Sequence, residues 1–171
     1  MIRLKSQEGK YTMKNAAIKT NAIRILEQKK AAFQIHSYEP DHALSGVEAA
    51  EFLHQDPAKV FKTLVTFGKS GEHYVFVIPA AAELDLKKAA GAAGEKSIAM
   101  LKSKDLRGLT GYVHGGCSPV GMKKQFTTFV DKRAEDCPAI IVSGGKIGVH
   151  VELPLSELGK AVPFQTADLI C

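Results

Sequence analysis

The sequence lacks most features that mark membrane, secreted or metal-binding proteins. No apolar run approaches the ~20 residues needed to cross a bilayer, and the N-terminus has no apolar core of the kind found in signal peptides. Only three cysteines are present, Cys117, Cys137 and Cys171, without a CxxC pair, so neither disulfides nor a structural zinc site is expected. These absences predict a cytoplasmic protein that does not enter a membrane.

Signatures of cofactor and metal chemistry are missing as well. The glycine-rich segments match neither a Walker loop nor GxGxxG, and no Gly-x-Ser-x-Gly elbow occurs. No histidine belongs to a spaced cluster with cysteines or carboxylates; the histidines are His36, His42, His54, His73, His114 and His150. We therefore expect no metal and no cofactor.

Composition and charge bound the class of protein. With 171 residues, 45% of them hydrophobic and 24% charged, the chain is close to the globular average. Since neither a repeat nor a linker is evident, one domain is predicted over residues 13–171, preceded by a disordered extension at residues 1–12. The 23 Lys and Arg exceed the 18 Asp and Glu by a net charge of +5, which modestly favours a polyanionic partner.

Periodicity and turn signals predict the order of helices and strands. Helices are predicted over 14–30, after the Ser45 and Glu48 capping box, after Asp85 and from Pro154. Strands are predicted at 33–38, 60–67, 73–78, 97–101, 111–114, 126–130, 139–143 and 147–153. Because strands outnumber helices and several join through short turns, we predict an α/β fold of the α+β type: a mixed, largely antiparallel sheet with surrounding helices.

A lysine interrupts an apolar strand in the run Phe61-Lys62-Thr63-Leu64-Val65. A charged side chain tolerates such a strand only if it extends to solvent, finds a partner or faces a cavity. One interpretation is an ordinary exposed strand lysine. The other is a cation directed into a pocket, where it can hold a carbonyl oxygen or a phosphate.

A glycine-rich loop covers residues 115–121, Gly-Gly-Cys-Ser-Pro-Val-Gly. Paired glycines let backbone N–H groups approach a ligand closely, and such groups are good donors to a developing oxyanion. A tight structural loop explains the same residues. Cys117 is a nucleophile only if a base lowers its pKa, and His114 is near it only in sequence; the alternative is a small buried side chain.

A third pattern runs from Ser143 to Glu152 and contains Gly144-Gly145 between two predicted strands. A two-residue turn with positive φ explains the glycines. It does not explain why a hydroxyl, an ammonium, an imidazole and a carboxylate gather around one hairpin. Ser143 and His150 are expected near the base of that hairpin.

In this order the three patterns resemble the YbaK family of bacterial Cys-tRNA(Pro) deacylases, which is related to the editing domain inserted in bacterial prolyl-tRNA synthetases. The matching motifs are Phe61-Lys62-Thr63-Leu64, Gly115-Gly116-x-Ser118-Pro119-x-Gly121 and Ser143-Gly144-Gly145-Lys146-x-Gly148. The likeness extends from about Met13 to the C-terminus. It implies a compact mixed α/β fold and a free-standing enzyme that acts after a synthetase has loaded cysteine onto tRNA(Pro).

The resemblance also implies roles for individual residues. Lys62 would hold the aminoacyl ester and stabilise negative charge, and backbone N–H groups around Gly116 would complete an oxyanion site. The cysteine thiol of the substrate would attack its own ester carbonyl, releasing a thiolactone and free tRNA, so Cys117 would be dispensable. Substrate binding is expected from Tyr38, Thr63, Gly115, Ser118, Ser143 and His150. His150, where relatives carry Asp or Ser, and Cys117, at a usually aliphatic position, depart from the family pattern.

The sequence leaves two other functions open. One is hydrolytic editing of Ala-tRNA(Pro) or another small aminoacyl-tRNA, with water as the nucleophile. The other is a non-catalytic module that binds tRNA ends or a synthetase. The expected partners are the 3′ end of a mischarged tRNA and a prolyl-tRNA synthetase, because a charge of +5 offers few phosphate contacts of its own.

Overall fold

The computed structural model describes residues 18–39 and 44–171, and these residues form five α-helices, two 3₁₀-helices and eight strands. The α-helices are α1 (Asn21–Gln28), α2 (Gly46–Phe52), α3 (Leu86–Ala93), α4 (Ser103–Thr110) and α5 (Leu155–Ala161). The strands are β1 (Gln34–Ser37), β2 (Phe61–Gly68), β3 (His73–Pro79), β4 (Ile98–Met100), β5 (Thr127–Asp131), β6 (Ile140–Lys146), β7 (Val149–Leu153) and β8 (Gln165–Ala167). The 3₁₀-helices span Pro57–Lys59 and Lys132–Asp136. Within this described part, no helix has the length and apolarity needed to span a membrane.

Local capping signals determine where two of the helices begin. At α2 the Ser45 hydroxyl accepts from the Glu48 N–H at 3.1 Å, and the Glu48 carboxylate accepts from the Ser45 N–H at 2.9 Å. At α3 the Asp85 carboxylate accepts from the first-turn N–H groups, and Gly94 ends the helix with a φ of 71°. Both predicted helix starts are confirmed.

The strands form two sheets. A five-stranded sheet has the order β4-β2-β3-β5-β8, and a three-stranded sheet has the order β1-β7-β6. All strand pairs are antiparallel except β3 with β5 and β5 with β8, which are parallel. A parallel bridge between Val60 and Ile141 joins the two sheets just before β2 begins. The predicted mixed, largely antiparallel α+β architecture is confirmed, but it is divided between two sheets.

Apolar side chains from both sheets form the main core. It contains Phe61, Val65, Val75 and Val77 of the larger sheet and Val142, Val149, Val151 and Leu153 of the smaller one. On the other face of the larger sheet, Phe76, Ile78 and Phe129 pack beneath the alanines of α3. Because alternate strand residues lie on opposite faces, β2 and β3 are packed on both sides.

Two predicted elements differ from those observed. Helix α1 begins after the N-cap Thr20, whose hydroxyl accepts from the Ile23 N–H at 3.1 Å, so residues 18–20 of the predicted helix 14–30 are not helical. Residues 14–17 and the predicted extension at residues 1–12 lie outside the described residues. Residues 111–114 form no strand, because Gly111 with a φ of 88° ends α4. The patterns also missed α4 and β8.

The paired glycines of the third pattern do not form the hairpin turn. Gly144 and Gly145 lie within β6, where the register shifts between Ser143 and Lys146. The turn is Ile147-Gly148, with a φ of 87° at Gly148. The glycines serve a bulge, which also needs positive φ: Gly145 has a φ of 97°.

Candidate active site

One sheet face carries several of the polar residues predicted for the site. Val60 is bridged in parallel to Ile141, and their side chains pack together. Two residues further along each strand lie Lys62 and Ser143, which therefore share that face. Ser143 is paired in register with His150 on β7, so His150 lies on the same face. The bridge between the sheets thus brings together residues of the first and third sequence patterns.

Lys62 is half-buried on β2. Within the described residues its ammonium group makes no ion pair and no hydrogen bond, whereas the neighbouring Lys59 donates to Glu152 at 2.7 Å. A partly desolvated cation without a protein counter-ion attracts a negative or polarised oxygen more strongly than an exposed lysine does. Lys62 is therefore suited to hold a carbonyl oxygen or a phosphate.

Thr63 lies on the opposite face of β2, the face that carries Phe61 and Val65 of the main core. Its Oγ1 is buried and has no hydrogen-bond partner among residues 18–39 and 44–171. A buried hydroxyl in this state costs about 1–3 kcal/mol. The Thr63 hydroxyl is therefore adjacent to Lys62 in sequence but lies on the other face of β2.

Tyr38 connects the smaller sheet to α2. Its ring stacks on His150 with 5.9 Å between centroids and is tilted against Phe52 of α2 at 5.0 Å. Its N–H donates to the Gly148 carbonyl at 3.0 Å, just after β1 ends. Tyr38 and His150, both predicted to contact substrate, therefore form one aromatic wall.

The His150 ring is uncharged at neutral pH. Burial lowers its pKa to about 4, and the charge of His36, its cross-strand neighbour, lowers it further in the same direction. A neutral imidazole can accept a hydrogen bond from a thiol or a hydroxyl, but it contributes no positive charge to the site.

Behind this wall lies the carboxylate of the third sequence pattern, Glu152, to which no role in the site was assigned. Glu152 Oε1 lies 2.8 Å from His36 Nε2, and its Oε2 accepts from Lys59 Nζ at 2.7 Å. Burial would raise the pKa of Glu152, but the two hydrogen bonds outweigh it and lower that pKa. The third pattern already contained Glu152, and the predicted strand 33–38 placed its partner His36 on the face of Tyr38.

The glycine loop packs on the β6–β7 turn. A Cβ on Gly116 would lie 3.0 Å from the Ile147 nitrogen and 3.2 Å from the Lys146 carbonyl carbon, so only glycine fits without displacing backbone. Gly115 has a φ of 86°. The second and third sequence patterns therefore meet at this contact.

The backbone donors of the loop differ from those predicted. The Gly116 N–H already donates to the Val113 carbonyl at 2.9 Å. The N–H groups of Cys117 and Ser118 make no hydrogen bond to any described residue. If the loop binds an oxyanion, the N–H groups of Gly115, Cys117 and Ser118 are available as donors, whereas that of Gly116 is not. This distinction depends on loop conformation and not on residue type.

The two side chains of the loop are buried. The Ser118 hydroxyl accepts from the Val120 N–H at 3.2 Å and so stabilises the loop from inside. Burial raises the pKa of the Cys117 thiol to about 12. The thiol stays protonated at neutral pH and is unsuited to be a nucleophile.

Ser143 is half-buried beside the bulge of β6. Its hydroxyl accepts from the Gly145 N–H at 3.2 Å. It lies opposite His150 in the ladder, yet no hydrogen bond joins the two side chains. A base that activates a serine must be within hydrogen-bonding reach, so the pair is not arranged as a serine nucleophile with its base.

Two grooves on the surface lie away from the predicted residues. Two open grooves of about 460 and 320 Å³ share Pro163 and Phe164, and neither is lined by a predicted site residue. Among residues 18–39 and 44–171, no three His, Cys, Asp or Glu side chains converge in a way that could hold a metal ion.

Comparison with known proteins identifies the family. The family model described as aminoacyl-tRNA editing domain matches residues 40–161. A protein of Enterococcus faecalis, named as a Cys-tRNA(Pro)/Cys-tRNA(Cys) deacylase, is 48% identical over 153 residues, which cover 88% of this chain and 93% of that protein.

Solved structures show the same fold. A crystal structure assigned as a trans-editing enzyme for prolyl-tRNA synthetase has a TM-score of 0.79 at 25% identity, covering 90% of this chain and 99% of that one. The structure of a hypothetical protein has a TM-score of 0.81 at 22% identity, covering 89% of this chain and 100% of the other. The chain belongs to the aminoacyl-tRNA editing domain family, and the membership predicted from its three motifs is confirmed.

Proposed function

We propose that this protein removes cysteine from mischarged Cys-tRNA(Pro), and also from Cys-tRNA(Cys), by attack of the substrate thiol on its own ester. The observation that carries the proposal is the Lys62 cation, which has no partner among the described residues and lies on the face of Ser143 and His150. Neither Cys117 nor Ser143 is arranged as a nucleophile there. The 48% identity to a protein named for this activity supports the choice of substrate.

The reaction needs positioning and charge stabilisation. The thiol sulfur forms a bond to the ester carbonyl carbon, the carbonyl oxygen becomes negative, and the bond to the ribose oxygen then breaks. The thiol loses its proton and the ribose hydroxyl gains one, so the products are a cysteine thiolactone and free tRNA. Lys62 and the free N–H groups of Cys117 and Ser118 are the groups proposed to stabilise the oxyanion.

Editing is required because cysteine and proline are similar in volume. A hydrophobic pocket separates such substrates by only about 1–3 kcal/mol, so a second site must reject the error. A thiol requirement would protect Pro-tRNA(Pro), because proline has no thiol. Discrimination would then depend on chemistry as well as on size.

Hydrolytic editing of Ala-tRNA(Pro) is the second candidate. It is favoured by the neutral His150 imidazole, which can accept a hydrogen bond from water. A pKa of about 4 nevertheless makes this ring a weak base at neutral pH. Attack by the substrate thiol does not use water as the nucleophile and so needs no base to activate it. It therefore remains the first proposal.

The deciding experiment measures loss of labelled amino acid from Cys-tRNA(Pro), Ala-tRNA(Pro) and Pro-tRNA(Pro), together with the chemical form released. Wild type is compared with Lys62→Ala and with the control Lys69→Ala, an exposed lysine in the β2–β3 turn. We expect thiolactone from the cysteine substrate alone, and a loss of about 10²–10³-fold for Lys62→Ala only.

Other outcomes have distinct meanings. Release of free alanine that depends on Lys62 would transfer the proposal to the hydrolytic reaction. If folded wild type released no amino acid from any substrate, the enzyme proposal would be rejected in favour of a non-catalytic binding module. A prolyl-tRNA synthetase is the proposed partner that supplies tRNA selectivity; equal rates with and without it at limiting enzyme would contradict that part.

A further inference from the structure

The chain around the glycine loop contains no acidic residue over two long stretches. Residues 106–130 and 137–151 have neither aspartate nor glutamate, in a protein that has 18 of them. The stretches carry Arg107, Lys123, Lys124 and Lys146, and each of these side chains is exposed. Positive charge is therefore concentrated here without local compensation.

Contacts join the two stretches into one surface. Lys123 lies on the C-terminal end of α4. Its Nζ donates to the Gly108 carbonyl at 3.4 Å. Its side chain also packs on Gly111, where an added Cβ would lie 3.4 Å from the Lys123 Cγ. The Tyr112 ring packs on Gly145, where an added Cβ would lie 3.0 Å from the ring. Gly145 immediately precedes Lys146 in the chain. The lysines before β5 and at the β6–β7 turn thus flank the same packed tyrosine.

Helix α1 adds a further cation at the edge of this surface. Asn21 donates to the Gly121 carbonyl at 2.7 Å, which holds α1 against the end of the glycine loop. The Arg24 guanidinium donates to Asn21 Oδ1 at 3.1 Å and is exposed. Burial raises the pKa of the Tyr112 phenol to about 12, and the charge of Arg24 acts in the opposite direction. Arg24 is therefore close enough to Tyr112 for its charge to be felt there.

These five cations have no acidic partners among the described residues. The group called here the basic surface consists of Arg24, Arg107, Lys123, Lys124 and Lys146; no salt bridge to a described residue involves any of them. Lys59, Lys88, Arg133 and Lys160 are paired with carboxylates, but exposed lysines such as Lys69 and Lys96 pair with no described carboxylate. The basic surface is therefore distinguished by the acid-free stretches around it and not by the absence of ion pairs alone. Lys124 lies over the Phe126 ring at 5.9 Å, which restrains it without neutralising it.

We propose that the basic surface binds backbone phosphates of the acceptor stem of the tRNA whose 3′ end occupies the site. The proposal rests on the proposed function, because it requires a tRNA ester at the glycine loop. Duplex RNA is recognised mainly through its phosphates and 2′-hydroxyls. The surface borders the loop through Gly116 and Lys146, so a stem that continues from a bound 3′ end meets it first.

The test separates the stem from the ester. Lys123→Gln/Lys124→Gln is assayed on full-length Cys-tRNA(Pro) and on a cysteinylated CCA trinucleotide, which has no stem. On the tRNA we expect KM to rise about tenfold with kcat unchanged, and the dependence of log KM on log salt to lose about two units of slope. On the trinucleotide the variant should equal wild type.

A matched control removes the same charge elsewhere. Lys132→Gln/Lys160→Gln removes two exposed lysines that lie near the carboxylates of Asp168 and Glu157, and it should leave KM and its salt dependence unchanged. Thermal unfolding confirms that both double variants are folded. An unchanged KM for Lys123→Gln/Lys124→Gln on tRNA, or an equal loss on the trinucleotide, overturns the proposal.

Failure of the proposed function gives a different result. If folded wild type deacylates neither substrate, the catalytic proposal is rejected, and binding of uncharged tRNA(Pro) at several salt concentrations then tests the surface directly. Weaker binding and a smaller salt slope for Lys123→Gln/Lys124→Gln than for the control support the basic surface. Equal binding by the two double variants overturns it.

Discussion

Single side chains set the charge of the site. Lys62 supplies a cation without a described partner, and His150 is held neutral beside it on the same sheet face. Lys59 and His36 are engaged by Glu152 instead. Positive charge is therefore directed to one position, where a developing oxyanion would gain most from it.

Replacement of Cys117 by alanine should leave deacylation within about twofold of wild type, since burial raises the pKa of its thiol to about 12. The lost sulfur contacts should lower the free energy of unfolding by about 1 kcal/mol. Rates on Cys-tRNA(Pro) and urea unfolding measure the two effects. A loss above a hundredfold in folded protein would show that the thiol participates.

His150 should make the protein less stable in mild acid. Its folded pKa of about 4 lies below the ordinary 6.5, so the unfolded chain binds more protons between these values, and stability falls as the pH drops through that window. The titrating and charged neighbours are His36, Glu152 and Lys59. In His150→Gln, urea unfolding at pH 7 and pH 5 should differ less than in wild type; an identical difference would refute the assignment.

At the scale of elements, the site depends on how the glycine loop packs against the β6–β7 turn. The loop has no regular hydrogen-bond ladder, and its conformation depends on Gly115 and Gly121 at positive φ and on the close contact at Gly116. Because these contacts involve backbone atoms, a side chain added there cannot be accommodated by a rotamer change.

Gly116→Ala should reduce deacylation by about 10²-fold, since its Cβ would lie 3.0 Å from the Ile147 nitrogen and would move the loop donors away from the ester. We expect a cost in unfolding free energy of about 1–3 kcal/mol. Single-turnover rates and urea unfolding test this.

Gly91→Ala on α3 is the matched control. A Cβ there meets nothing within 4 Å, so the helix should gain about 0.5–1 kcal/mol and activity should not change. If Gly116→Ala were as active as Gly91→Ala, the loop would have no positioning role.

At the scale of the whole molecule, a buried carboxylate attaches the C-terminal segment. Asp131 is fully buried at the end of β5 and accepts from the Leu169 N–H at 2.9 Å and from Arg133 at 3.1 Å. Arg133 and Lys88 in turn pair with Asp168, each at 3.0 Å. The network connects β5, α3 and the last residues of the chain.

Asp131→Asn should therefore destabilise the fold without changing the chemistry. Loss of charge from a buried acceptor of several hydrogen bonds should cost about 1–3 kcal/mol, or roughly 2–4 °C in Tm for each kcal/mol in a chain of this length. Calorimetry measures the shift, and kcat well below Tm should be unchanged. Glu135→Gln, at an exposed position, should shift Tm far less; equal shifts would contradict the importance of Asp131.

Local chemistry accounts for the elements that the sequence predicts well. The Ser45 and Glu48 box and the Asp85 cap mark helix starts, and the alternating runs at 60–67 and 73–78 form the β2–β3 hairpin. These signals involve residues within a few positions of one another, so no distant contact is needed to recognise them. Helix α4 escaped recognition because no side chain caps it at Lys102. Strand β8 escaped recognition because the strand it pairs with, β5, is distant in sequence.

The identity of the site residues could likewise be predicted from the motifs, but their arrangement could not. The shared face of Lys62, Ser143 and His150 depends on a bridge between residues 60 and 141. The bond from the Gly116 N–H to the Val113 carbonyl shows that this predicted donor is already occupied. Residue types and spacings specify local preferences and the motif match. The pairing of distant strands and the conformation of a loop result from packing across the whole chain. These decide which side chains share the face of Lys62 and which N–H groups of the loop are already bonded within the protein.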